Sequence, residues 1–148
     1  MTTLGNFTVG QTLTASDMNI IGTWSSFTVT TTGSALMTFT GAKCVVNKLV
    51  TFEIVGTATG AATPPFSINF PETLQNVNSA VGIQVAYYDD SASSWYYGGM
   101  FPSSGTVGRL RAFNASATYL TGTGVTNLIP FTWAVNDLVI ISGTYRAS

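Results

Sequence analysis

Five Lys or Arg, six Asp or Glu and no His in 148 residues give a net charge of −1. They leave the chain short of the groups that run most chemistry near neutral pH. Lys43, Lys48, Arg109, Arg111 and Arg146 are dispersed along the chain, which argues against a nucleic-acid partner, since phosphate contacts need clustered cations. Hydrophobic residues make up 45% of the chain. The length fits one domain with a real core, and no apolar run approaches the roughly 20 residues of a membrane-spanning helix.

Residues 1–21 read differently from the remainder of the chain. Thr14 stands three residues before Asp17, a capping-box spacing, and Leu13, Met18 and Ile21 fall on one stripe of the short helix it would start. The opening Met-Thr-Thr-Leu-Gly lacks the basic flank of a signal peptide, so export through that route is not expected. From Gly22 onward the pattern alternates with period two and is broken by Gly, Pro, Asn and Asp. Strands are predicted over 24–31, around Phe27 and Val29, and over 35–40, with Met37 and Phe39 on one face. A third covers 48–57 and places Val50, Phe52 and Ile54 together. Further strands are expected over 66–70 and over 81–88, where Val81, Ile83, Val85 and Tyr87 share a face. The rest lie at 94–101, 106–113, 117–121 and 137–145, the last with Leu138 and Ile140 opposite Val139 and Ile141.

Reversals are expected at Thr32-Gly33, at Asp89-Asp90-Ser91, from Pro102 to Gly105 and at Asn136-Asp137. About nine strands at this spacing predict an all-β fold, an antiparallel β-sandwich of jelly-roll-like form with one short N-terminal helical segment. Two parts are expected: an N-terminal attachment segment over 1–21 and a β-sandwich domain over 22–148. The glycine-rich pieces 56–60 and 121–124 are read as loop tips, since neither has the Lys or helix of a phosphate loop.

The candidate sites are few. Asp89 and Asp90 fit a solvated hairpin tip built on Asx turns better than a cation site. The other acids are scattered, so no carboxylate pair is expected to act on a substrate. Cys44 has no His to activate it and reads as a small buried hydrophobe. No catalytic residue, cofactor or metal site is predicted. The densest aromatic cluster is Trp95-Tyr96-Tyr97, with Tyr87, Tyr88 and Phe101 nearby. Successive strand residues point to opposite faces, so at least one of these three rings must face out of the sheet. The cluster is either a ligand or subunit contact, or core with the remainder packed beneath a loop. A weakly charged, apolar chain also tends to cover its surface with copies of itself or with a larger assembly.

Three stretches resemble a module of bacteriophage tail-fibre and other virion-surface proteins. Phe7-Thr-Val-Gly-Gln-Thr-Leu-Thr-Ala-Ser-Asp-Met-Asn19 is similar to the G-x-x-L-T-A-x-x-x-N opening of such chains. Val50-Thr-Phe-Glu-Ile54, running through Pro65 to Phe70-Pro71, resembles their hairpin, and residues 130–145 resemble the closing strand. The resemblance implies a trimeric β-sandwich, made and assembled in the host cytoplasm and carried on the virion. Its partners would be itself and other virion proteins, such as a major capsid or tail protein, and a host surface glycan in the alternative form. Without a shaft, a small capsid decoration or cement protein or a short fibre is the expected type. Leu4, Phe7, Leu13, Met18 and Ile21 are then the expected attachment and oligomer contacts.

Overall fold

Alternation of large apolar with small or hydroxylated residues suits a pleated surface buried on one side, and it yields ten strands among the described residues. The computed structural model describes residues 22–78, 83–115 and 120–148. The strands are β1 (Trp24–Ser26), β2 (Thr31–Thr32), β3 (Ala35–Val46), β4 (Leu49–Thr63), β5 (Ser67–Asn69), β6 (Gln84–Asp89), β7 (Ser94–Pro102), β8 (Val107–Asn114), β9 (Thr121–Gly124) and β10 (Leu138–Arg146). All pairings are antiparallel, in the order β1-β3-β4-β10-β6-β7-β8-β5-β2, with β9 on β8. The helix expected before Gly22 lies outside the described residues.

The path closes on itself through one stretch of chain. Residues 24–26 pair with β3, and the Phe27 amide donates to the Gly41 carbonyl. A few residues on, the Asn69 amide donates to the Thr30 carbonyl and β2 pairs with β5. The single strand predicted over 24–31 is therefore two short ones, because the segment leaves one neighbour for another midway. Phe27 and Val29 stay on the inner side, where their side chains occupy the space over Gly41.

One face of this path is the core. In β4 the even positions Val50, Phe52, Ile54, Ala58 and Ala62 are buried, and in β6 so are Val85 and Tyr87. Leu110 and Ala112 of β8 and Val139, Ile141 and Tyr145 of β10 complete the layer. Phe52, Phe70 and Tyr145 meet edge-to-face with centroids 5.3 to 6.4 Å apart, the geometry ring quadrupoles favour. The Tyr145 hydroxyl donates to the Glu72 carbonyl and lies 2.8 Å from the Glu72 amide, which donates to it. Burial pushes its ionisation up to about 12.

Two glycine-rich pieces read as loop tips are strands. Residues 56–60 lie inside β4, where a Cβ on Gly56 would stand 2.5 Å from the Phe39 ring and 2.7 Å from Val139. The glycine is there because a neighbouring side chain fills its place, and β4 runs to Thr63 instead of ending near 57. Residues 121–124 form β9, hydrogen-bonded to β8 from Arg111 to Asn114. Cys44 also differs from expectation. It shares the outer face with its β-partner Thr51 and is half-buried there.

The reversals are built as their residues suggest. Gly33 and Asn136 take positive φ at 79° and 72°, where Gly and Asn are tolerated. The Asp89 carboxylate accepts from the Ser91 hydroxyl and the Ala92 amide, an Asx-type turn at the β6–β7 tip. Asp137 is fully buried and accepts from two backbone amides, Asp90 at 2.9 Å and Ala134 at 2.6 Å. One carboxylate thus fastens the β6–β7 hairpin to the turn that leads into β10.

Candidate interaction surface

The outer face of β4-β10-β6-β7-β8 is set by the same registers that build the core. Residues paired across antiparallel strands share a face, so rows can be traced from strand to strand. One row runs Thr57, Leu138, Tyr88, Trp95. The next runs Val55, Ile140, Ala86, Tyr97, and Phe113 of β8 continues it beyond the Gly98–Ala112 pair. Neither row contains a charged residue. The third row carries one acid, on β4, and one base, on β8: Glu53, Ser142, Gln84, Gly99, Arg111.

Within this band the aromatic side is open. Trp95 is 48% exposed, Tyr97 65% and Phe113 40%, large values for rings that bring 150–250 Å² of mostly apolar surface each. Tyr88 and Trp95 lean together with centroids 4.7 Å apart. Gly99 keeps the sheet low between the rings of Phe101 and Phe113; a Cβ there would stand 2.9 Å from the first and 3.4 Å from the second. On the β4–β10 side, Val55, Leu138 and Ile140 are half-buried.

All three members of Trp95-Tyr96-Tyr97 reach solvent, one more than the strand period alone requires of the outer face. Trp95 and Tyr97 point outward. Tyr96 has the opposite parity and lies at the end of β7, with its ring 5.2 Å from Phe131. Phe131 in turn meets Trp133 at 4.7 Å, and Trp133 meets Tyr87 at 6.2 Å. Tyr96 is thus the outer end of a ring-to-ring line into the core, and only its neighbours belong to the open face. Sequence reasoning misses Phe113, Leu138 and Ile140 as contacts, although their outward parity is readable in the alternation of β8 and β10. Leu4, Phe7, Leu13, Met18 and Ile21 lie outside the described residues.

An apolar cleft of about 530 Å³ adjoins this face, between the start of β6 and the Gly98–Pro102 stretch of β7, with Val77 and Phe113 on its walls. Two of the cations have local partners. Lys43 pairs with Glu72 and also donates to the Pro71 carbonyl. Arg111 donates to the Gly122 carbonyl at 2.9 Å. Among the described residues, no three or more of His, Cys, Asp and Glu come together as a metal site. Comparison with family models, with curated proteins and with solved structures gives no match for this chain.

Proposed function

We propose that this protein is a non-enzymatic structural component of a bacteriophage particle. In this reading it is a homotrimeric surface protein that decorates or cements the capsid or forms a short fibre. The observation that carries it is the uncharged band on the outer face, with Trp95, Tyr97 and Phe113 open at one side. Contiguous exposed apolar surface rimmed by polar residues marks association surfaces. The resemblance of the 7–19, 50–71 and 130–145 stretches to virion-surface modules supplies the particle. The accompanying fold is a jelly-roll-like sandwich, supported by an antiparallel path that closes on itself around one dry face.

A protein of this kind works without chemistry. Each bound copy adds buried area across a joint between shell or tail subunits. It stabilises the assembled state by its differential affinity for that state, through mass action. The work calls for a rigid body, a surface that discriminates assembled from free partners, and no cofactor. The partners are other copies of this chain and virion proteins such as a major capsid or tail protein. Light scattering at micromolar concentration is expected to give three times the chain mass of 15.6 kDa. A monomer, or polysaccharide cleavage that vanishes on changing one Asp or Glu, overturns the reading.

A second reading is a host-receptor tip that binds surface glycan. The Tyr88–Trp95 stack beside the open Tyr97 ring favours it, since sugar faces stack on such rings. Copy number separates the two: hundreds per particle for decoration, a few for a tip.

A further inference from the structure

We propose that copies of this chain meet through the outer face of β4-β10-β6-β7-β8, head to tail around a common axis. The aromatic half of one band packs on the aliphatic half of the next, with Arg111 of one copy against Glu53 of its neighbour. The inference rests on the trimeric reading above and adds the surface and the register.

The band has two unlike halves. On the β7–β8 side stand Trp95, Tyr97 and Phe113, all more than a third exposed. On the β4–β10 side stand Val55, Leu138 and Ile140, half-buried and flat. Protruding rings against a low aliphatic surface are complementary in shape. Two aromatic halves brought together would leave the aliphatic halves uncovered. Aromatic half on aliphatic half uses both at once; a two-fold pair would do so reciprocally and close at two copies, and around the three-fold axis of the trimeric reading the same contact runs head to tail and closes into a ring.

The charges repeat the same polarity. Glu53 and Arg111 bound the five-strand stretch Glu53-Ser142-Gln84-Gly99-Arg111 of one cross-strand row, which runs on without charge through Ala42 of β3 and Gly124 of β9. Four strand spacings separate them, roughly 19 Å at ~4.8 Å each, too far for contact within one copy. Both are exposed, and both border the uncharged rows on the same side. Setting the aromatic half of one copy on the aliphatic half of the next brings its β8 edge of the band over the neighbour's β4 edge. The acid and the base are then the groups that meet. Opposite charges at the rim fix register and exclude the like-charged alternative. An isolated patch would give no direction, whereas this row does. The Arg111 bond to the Gly122 carbonyl holds the guanidinium over the sheet edge and leaves its remaining donors available.

The test is sedimentation equilibrium of the full chain with variants at both ends of that stretch and in the band. Tyr97→Glu, in the middle of the open rings, is expected to weaken association by about 30-fold or more, the scale of a central hot spot. Glu53→Arg and Arg111→Glu should each weaken it by roughly three- to ten-fold, and the double swap should restore it. Ser25→Glu on β1, exposed and off this face, should leave it unchanged. Near-ultraviolet circular dichroism establishes that each variant is folded. A wild-type monomer overturns the trimeric reading and this surface with it, all the more if glycan binding then depends on Tyr97, and a dimer that obeys the swaps overturns the trimeric reading and the head-to-tail arrangement while leaving the face. A wild-type oligomer indifferent to Tyr97→Glu and to the swaps overturns the surface alone. Dissociation by both single swaps without rescue in the double overturns the head-to-tail register.

Discussion

Removing the Asp137 carboxylate sets two opposing effects against each other, and their difference can be worked from the structure. Asp137 is fully buried, and its oxygens accept from the Asp90 and Ala134 amides at 2.9 and 2.6 Å. Its own backbone is committed as well: its carbonyl accepts from the Ala58 amide, and the Asn136 amide donates to the Ala58 carbonyl. Burying a carboxylate is costly, so Asp137→Ala relieves a desolvation penalty. The same change leaves two part-buried amides without acceptors. Hydrogen bonds to charged groups are worth about 1.5–3 kcal/mol each, and an orphaned buried donor costs about 1–3 kcal/mol. Two amides lost together place the expected destabilisation near 3–5 kcal/mol after part is offset by desolvation. That is a large share of the roughly 5–15 kcal/mol that holds a domain of this size. Asp137→Asn keeps one acceptor and turns an amide group toward the other N–H, so about half the loss is expected. Urea unfolding monitored by tryptophan fluorescence reads both, and the midpoint should fall in the order wild type, Asn, Ala. A wild-type midpoint in Asp137→Ala, or a higher one, would show that desolvation wins and that the carboxylate does not fasten the hairpin to the β10 turn.

The packing sets three further outcomes. Gly98→Ala places a Cβ 2.0 Å from the Arg111 carbonyl oxygen; backbone cannot yield as a side chain can, so a loss of about 3 kcal/mol or more is expected, read as an unfolded or strongly destabilised chain by circular dichroism. Gly56→Ala meets first the side chains of Phe39 and Val139, and about 1–3 kcal/mol is expected in thermal unfolding; a larger loss than at Gly98 would contradict the distinction between yielding and unyielding neighbours. Tyr145 ionises near 12 when folded and near 10 when unfolded. The folded state therefore holds this proton more tightly. Its contribution is complete below pH 10 and is lost as pH rises toward 12, so absorbance titration should show phenolate appearing together with unfolding. Tyr145→Phe should lessen that dependence, leaving the part due to Tyr87, whose ionisation burial also pushes up, and cost about 1 kcal/mol through the lost Glu72 bonds.

The strand alternation is legible in the sequence because one face of the sheet is dry. Val50, Phe52 and Ile54 fall on it as expected, and so do Val85 with Tyr87 and Val139 with Ile141. Glycine is the residue most easily misread. At 33 it marks a turn, but at 56 its meaning lies in Phe39 and Val139, which reach it from other strands. No local pattern carries that information, and for the same reason 121–124 reads as a loop in the sequence and pairs as a strand in the fold. The aromatic run at 95–97 is recognisable as something that cannot all be core, while its extent is not. Only the register brings Phe113 beside Tyr97, and only the register sets Glu53 and Arg111 in one row four strands apart.

The place of β10 has a consequence for the timing of folding. It lies between β4 and β6, making nine register pairs with one and five with the other, although β7, β8 and β9 come before it in the sequence. Until it emerges from the ribosome, the β3–β4 hairpin and the β6–β7–β8 meander have no shared border there. Each exposes an apolar flank, and the two meet only through residues 24–32 and β5. Strand pairings of such separation are slow to form, so a chain whose β10 has not yet entered between β4 and β6 is half-open and sticky. A chain cut before Leu138 would be expected to accumulate as aggregate.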